Sequence, residues 1–269
     1  MEFLQYKFFQ RAIIASLLTG AGCGIVGVWV FLLRIPFVGV LMSHSAFAGA
    51  ILGLIFHINP LILSFLFCLF SSALIGPISD RADIEPDLSL SVIFSIMLGI
   101  AFAGMGFLKD EMERGLRFLW GSILTLSSKD LYLLSILLLI TLTVLILFYR
   151  EIQFILFNRK LAEISGIPEK AIFYFILFLI GAEITISLNC VGGLLIFSLI
   201  IGPPASAYQL TYDLKKMYFL SAIFGMGITT FGLFLSVFLP ISPGALIVLG
   251  SGLLLGITIS ISPKRRFSQ

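Results

Sequence analysis

Long apolar runs broken by short polar stretches set the pattern of this chain. Nine runs recur, at about 11–33, 36–56, 60–78, 88–107, 131–149, 170–188, 190–209, 217–238 and 243–261. Most approach the ~20 residues that an α-helix needs to cross a hydrocarbon core. The pattern predicts an all-α, polytopic transmembrane helical bundle of about eight or nine spans, forming a single membrane domain over 1–269. Tight turns are expected at His57–Pro60, near Asn189 and at Pro240–Pro243. Any of these hairpins can instead be a broken or re-entrant helix, which leaves eight full spans as the alternative. The first 33 residues read as a span and not as a cleaved leader, because Gly20–Leu33 runs on without a small-residue cleavage site.

Composition narrows the class further. The chain is 59% hydrophobic and 12% charged, where soluble domains carry about 25% charged residues. A net charge of +3 gives no reason to expect nucleic acid as a partner. Cys23, Cys68 and Cys190 stand apart and form no CxxC pair, so neither a disulfide framework nor a cysteine zinc site is implied. The sequence holds no GxxxxGK[ST] phosphate loop, no HExxH and no GxSxG. Enzymatic ATP hydrolysis by this chain is not expected.

The polar island Asn158–Lys170 interrupts the apolar pattern most sharply. Arg159, Lys160, Glu163, Glu169 and Lys170 surround Leu161, Ala162 and Ile164. Residues 160–164 can make one or two helical turns, and Gly166 can end them at positive φ. Pro168 suits the first turn of the next helix. A solvated loop and a docking surface both fit this composition. Placing the island in the cytoplasm puts 11 of the 17 basic residues on that side and 6 outside, as the positive-inside rule favours. The C-terminus is then cytoplasmic, and with nine spans the N-terminus is outside. The outer connection 108–130 mixes Asp110, Glu111, Glu113 and Arg114 with Trp120, and reads as a short interfacial helix.

Small residues mark helix faces. Gly20, Gly24 and Gly27 share one face of the first span, and Gly39, Ser43, Ala46, Ala50 and Gly53 share one of the second. Such faces let helices approach closely in lipid, whether within one chain or between copies. Ionisable residues inside spans are costly. His44 is the only histidine well inside one, and Glu183 the only acidic residue. His44 is read either as a packed, hydrogen-bonded imidazole or as a transition-metal ligand or gate. Glu183 is read either as a structural carboxyl or as a group that attracts a cation near the outer mouth. Counting about 1.5 Å per residue places His44 roughly 10 Å and Glu183 roughly 20 Å above the cytoplasmic ends of their spans, on separate levels.

Six ordered motifs resemble one family, the membrane permease subunits of bacterial ATP-binding-cassette importers for zinc, manganese and iron(II). LLRIPFVGVLMSHSAFAGAILG is similar to the family's GDALSHAALPGVALG segment. PDLSLSVIFSIMLGIA, FLWGSILTLSSKDL, FNRKLAEISGIP, VGGLLIFSLIIGPPASAYQLT and LFLSVFLPISPGALIVL follow in the family's order. The resemblance implies the fold of the metal-chelate and vitamin importer permeases and a place in the bacterial cytoplasmic (inner) membrane. It implies a transported divalent metal, with no tightly bound cofactor and ATP on a partner. The partners implied are a cytoplasmic ATP-binding subunit, an extracytoplasmic metal-binding lipoprotein, and a second permease copy or related permease. It makes 157–169 a cytoplasmic coupling segment, with Asn158, Leu161, Ala162, Gly166 and Pro168 at the ATPase. His44 and Glu183 are the candidate metal residues. One departure stands out: the family's aspartate four residues before the histidine is Val40 here, which cannot ligate. A cation-driven secondary transporter and a permease for a metal chelate or vitamin are the competing readings. One buried acid and no visible repeat argue against the secondary transporter.

Overall fold

The structure, a computed structural model, describes residues 6–82, 86–108, 113, 115, 116, 118, 126–193 and 196–264. The interfacial helix expected around Trp120 falls mostly outside these residues. Among them the chain is all-α, with 11 helices. These are α1 (Lys7–Leu32), α2 (Phe37–Ile55), α3 (Pro60–Ala82), α4 (Pro86–Met105), α5 (Ser128–Leu147), α6 (Tyr149–Phe157), α7 (Arg159–Ile164), α8 (Glu169–Val191), α9 (Ile196–Leu210), α10 (Leu214–Phe238) and α11 (Pro243–Ser260). Each of the nine apolar runs falls on one long helix. Seven are long and apolar enough to cross a membrane. The apolar part of α3, Pro60–Ile75, is shorter, and α9 has 15 residues. At 1.5 Å per residue α9 extends about 22 Å, less than a hydrocarbon core of about 30 Å.

α1 is the central helix. Every residue from Thr19 to Val30 is buried. Its glycine face meets α10, where Gly20 lies against the Gly225 backbone and Gly24 against that of Ser221. Hydroxyls seal the seam. Ser221 Oγ donates to the Gly24 carbonyl at 2.7 Å, and Thr229 Oγ1 donates to the Ser16 carbonyl at 2.7 Å. Trp29 Nε1 donates to the Tyr218 hydroxyl at 2.8 Å. Gly27 packs on the Ile200 carbonyl of α9. Pro204 stands four residues beyond Ile200 and brings no N–H to that carbonyl. The absent Cβ at Gly27 therefore lets α1 close over a carbonyl that its own helix leaves free, a contact suited to a weak Cα–H···O bond.

α2 and α3 form an antiparallel pair closed by His57, which takes φ +55°. Ser64 Oγ donates to the Ala46 carbonyl at 2.6 Å, and the Ser45 and Ser71 hydroxyls meet at 2.7 Å. α4 runs beside α2 in the same sense, with Phe94 against Phe37 and Gly104 against Ile51. Phe102, Leu139 and Ile146 of α4 and α5 are exposed, as lipid-facing positions are.

Two faces result. The turn at Arg34, the end of α9, the start of α10, helices α6 and α7, and Lys264 converge on one. The α2–α3 turn at His57 and the start of α5 lie on the other. α1 and α10 run antiparallel, with Phe9 on Phe234 at one end and Trp29 on Tyr218 at the other. α8 ends at Gly192, whose φ of +90° and ψ of +149° lie in a region that only glycine enters freely. Gly193 N–H donates to the Phe118 carbonyl at 3.0 Å. The short α9 is therefore tied to the long connection between α4 and α5.

Gly24→Leu is expected to lower the thermal stability of the purified chain markedly, because the seam to α10 has no room and overpacking costs roughly 1–3 kcal/mol or more. Gly99→Leu, at a position open on all sides, is expected to leave it unchanged. Equal melting of both variants in detergent would rule out the glycine seam as a stability determinant.

Candidate functional site

Local sequence builds the island. Asn158 Oδ1 accepts from the N–H groups of Lys160 at 3.0 Å and Leu161 at 3.2 Å, capping α7. At the other end Gly166 takes φ +79°. Its N–H donates to the Glu163 carbonyl at 3.0 Å, and the Ile167 N–H donates to the Ala162 carbonyl at 3.1 Å. This pair of bonds makes a Schellman motif, a glycine-dependent helix stop. Pro168 is the N-cap residue of α8 and stands one position before its first turn. The Arg159 guanidinium pairs with the buried Glu169 carboxylate and lies 3.8 Å over the Phe173 ring. Both contacts clamp α7 to the first turns of α8.

The exposure pattern corrects the expected docking face. Ala162 is 0% exposed and sits beneath its own turn. It presents no surface. Leu161 is 47% exposed, Ile164 82% and Phe157 83%. The apolar surface of the island is therefore Phe157, Leu161 and Ile164. Ile164 is among the island's apolar residues in the sequence but not among those expected at the ATPase, and Phe157 is in neither set. Their signal was large apolar side chains in a stretch otherwise rich in charge.

His44 is half-buried on α2. Its Nδ1 lies 2.9 Å from the Val40 carbonyl and 3.2 Å from Ser43 Oγ. A carbonyl only accepts, so Nδ1 carries the proton and Nε2 keeps its lone pair. Ser43 Oγ donates to the same carbonyl at 2.9 Å. Val40 thus contributes its main chain to orienting the imidazole. The ring meets Phe94 of α4 edge-on, with centroids 4.9 Å apart.

Glu183 is enclosed, not at a mouth. It is 1% exposed, and its carboxyl fills the notch left by Gly22 of α1. Among the described residues Oε2 has no hydrogen-bond partner. The outer-mouth role expected of Glu183 is therefore corrected: α1 covers it. The expected separation in depth is corrected as well. Cys68 Sγ donates to the Met42 carbonyl at 3.3 Å and meets Thr185 Oγ1 at 3.3 Å. Gly181 packs on both Cys68 and Met42. Residues 181–185 therefore lie at the depth of residues 42–46. Counting from helix ends misjudged this because α8 begins at the island, below the start of α2. His44 faces α4 while Glu183 faces α1, and no contact joins them. Among the described residues no group of three or more His, Cys, Asp or Glu side chains could hold a metal ion.

A model of the ABC 3 transport family matches residues 5–261. The manganese transport system membrane protein MntC of Listeria monocytogenes is 28% identical over 97% of this chain and 93% of its own length. The manganese import system permease protein ScaB of Streptococcus gordonii is 28% identical over 99% of this chain and 97% of its own. A probable metal transport system membrane protein of Treponema pallidum is 30% identical over 98% of each. Among solved structures, PsaBC from Streptococcus pneumoniae in complex with Fab superposes with a TM-score of 0.89, at 27% identity, over 99% of this chain and 97% of that one. An inward-facing putative metal-chelate type ABC transporter shares the fold, with a TM-score of 0.73 at 18% identity over 93% of this chain and 85% of that one.

Asn158→Ala and Gly166→Ala are expected to loosen the island. The first removes a cap worth about 0.5–2 kcal/mol, and the second imposes a left-handed conformation costing roughly 1–2 kcal/mol. Amide hydrogen exchange over 158–168 is expected to quicken in both, with the long helices unaffected. Unchanged exchange in either variant would refute the corresponding contact.

Proposed function

Because the chain belongs to the ABC 3 transport family, we propose that it is the membrane-spanning permease subunit of an importer that moves a divalent transition metal ion into the cytoplasm. A separate cytoplasmic ATPase subunit drives its alternating access. The match that carries this reading is the 0.89 superposition on PsaBC over nearly the whole chain, supported by relatives named as manganese permeases. The bacterial cytoplasmic membrane is its location. An extracytoplasmic binding lipoprotein delivers the ion, and a second permease copy or a related permease completes the pathway. The island face lies in the cytoplasm, together with the C-terminus. Arg34, Arg150, Arg159, Lys160, Lys170, Lys215, Lys216 and Lys264 then occupy the positive side.

The island supports a coupling role by its construction. A capped short helix, clamped by Arg159 to α8, transmits a push without deforming. Leu161 and Ile164 offer the apolar contact, with Asn158, Ala162, Gly166 and Pro168 shaping the element. His44 offers Nε2 to the passing ion, and imidazole is a good ligand for zinc, iron and related metals. Glu183, enclosed by α1, does not reach the ion in this conformation.

Three measurements test the reading. Proteoliposomes holding the chain with its ATPase are expected to accumulate manganese, zinc or iron(II) only with ATP, and the isolated chain is expected to hydrolyse none. Metal uptake without ATPase and nucleotide would overturn the assignment. Ile164→Asp is expected to leave insertion intact and reduce ATP-driven uptake at least tenfold, since a carboxylate in an apolar docking contact is costly to desolvate. Normal coupling in that variant would remove the island from the interface. At matched expression, His44→Ala is expected to cut uptake at least tenfold while Glu183→Gln keeps it within about twofold. The reverse order would exchange their roles.

A further inference from the structure

A groove opens at the island face beside α6, with Phe157 on its lining. Its volume is about 570 Å³, within the range of small-molecule sites. The floor is apolar and built from helix ends: Leu32 closes α1, Leu156 belongs to α6 and Met217 to α10. The rim is cationic and aromatic. The Lys264 ammonium lies 3.3 Å from the Tyr208 ring centroid and 4.6 Å from that of Tyr212. The segment carrying Lys264 is held down by Ser262, whose Oγ donates to the Gln209 carbonyl at 2.9 Å. Lys215, 5.5 Å from the Tyr149 ring centroid, stands beyond the lining. Asp213 also lines the groove, but its Oδ1 accepts from the N–H groups of Lys215 and Lys216. A second cavity, about 1170 Å³, adjoins the first through Leu32, Leu156, Phe157 and Tyr208 and carries Arg34 on its lining.

We propose that this groove binds an anionic glycerophospholipid of the surrounding leaflet, with an acyl chain over Leu32, Leu156 and Met217 and the headgroup phosphate at Lys264. Charge complementarity and position select this occupant. The apolar floor offers an acyl chain the ends of α1, α6 and α10 to pack against. With the island face cytoplasmic, as proposed above, the Lys264 ammonium and the Tyr208 and Tyr212 phenols face that side of the membrane, where basic pockets between helix ends are suited to anionic headgroups. Burial pushes the Lys264 ammonium below the ordinary lysine pKa, and a phosphate partner would offset that penalty. Bound there, the lipid would brace the α9–α10 turn against α6, next to the island.

Native mass spectrometry of the full chain in detergent, titrated with phosphatidylglycerol or phosphatidylcholine, tests this. Phosphatidylglycerol is expected to be retained at least fivefold better. Lys264→Gln is expected to lower that preference about fivefold, the worth of one basic residue at an anionic surface. Lys264→Arg is expected to restore it, which separates lost charge from a disturbed fold. Lys129→Gln, on the opposite face, is expected to change nothing. Equal retention of the two lipids, or no effect of Lys264→Gln, would overturn the proposal. So would displacement of the lipid by inorganic phosphate, which would mark a free-anion site, or by the ATPase subunit, which would mark a protein surface.

Discussion

The close approach of α1 to its neighbours is the constraint on which the rest of this structure depends. In lipid, apolar side chains gain nothing by leaving one hydrocarbon surface for another, so helices associate through packing and hydrogen bonds. Gly20, Gly24 and Gly27 let backbone meet backbone. Hydroxyls on α10 then bond directly to α1 carbonyls at Ser16 and Gly24. A polar group is tolerated here only because its partner is within reach, and the partner is within reach only because the glycines carry no side chain.

The same economy shapes the other polar residues of the bundle. Gly27 covers the carbonyl opposite Pro204, and Gly22 leaves the notch that Glu183 fills. Ser45 with Ser71, Ser64 with the Ala46 carbonyl and Cys68 with the Met42 carbonyl tie α2 to α3. These contacts fix where His44 and Glu183 stand. His44 is oriented by a main-chain carbonyl one turn below it and keeps one nitrogen free. Glu183 is spent on the α1–α8 contact. Two ionisable residues of similar depth thus have different access, decided by which helix each one faces.

The island face combines rigid and adaptable parts. α7 is capped at both ends and clamped to α8 by Arg159, Glu169 and Phe173. Beside it, α6, the α9–α10 turn and Lys264 leave an open groove instead of a packed core. The coupling role proposed for α7 calls for a stiff element that transmits force, with helices around it that shift against one another. A rigid short helix on a face whose neighbouring seam is incompletely filled meets both needs.

The sequence by itself determined what depends on near neighbours. The nine long helices follow from apolar runs of about 19 to 23 residues, the short α7 from Asn158 and Gly166, and the family from motifs in order. Helix formation and capping act over three or four residues, so they can be read along the chain. Only the tertiary structure decided that Ala162 is covered while Ile164 is exposed, because burial depends on the turn that folds back over α7. It alone placed Glu183 under α1 and level with His44, since depth depends on where α8 starts relative to α2. It alone tied Gly193 to the Phe118 carbonyl. Those outcomes rest on contacts between residues far apart in the chain, and no local pattern encodes them.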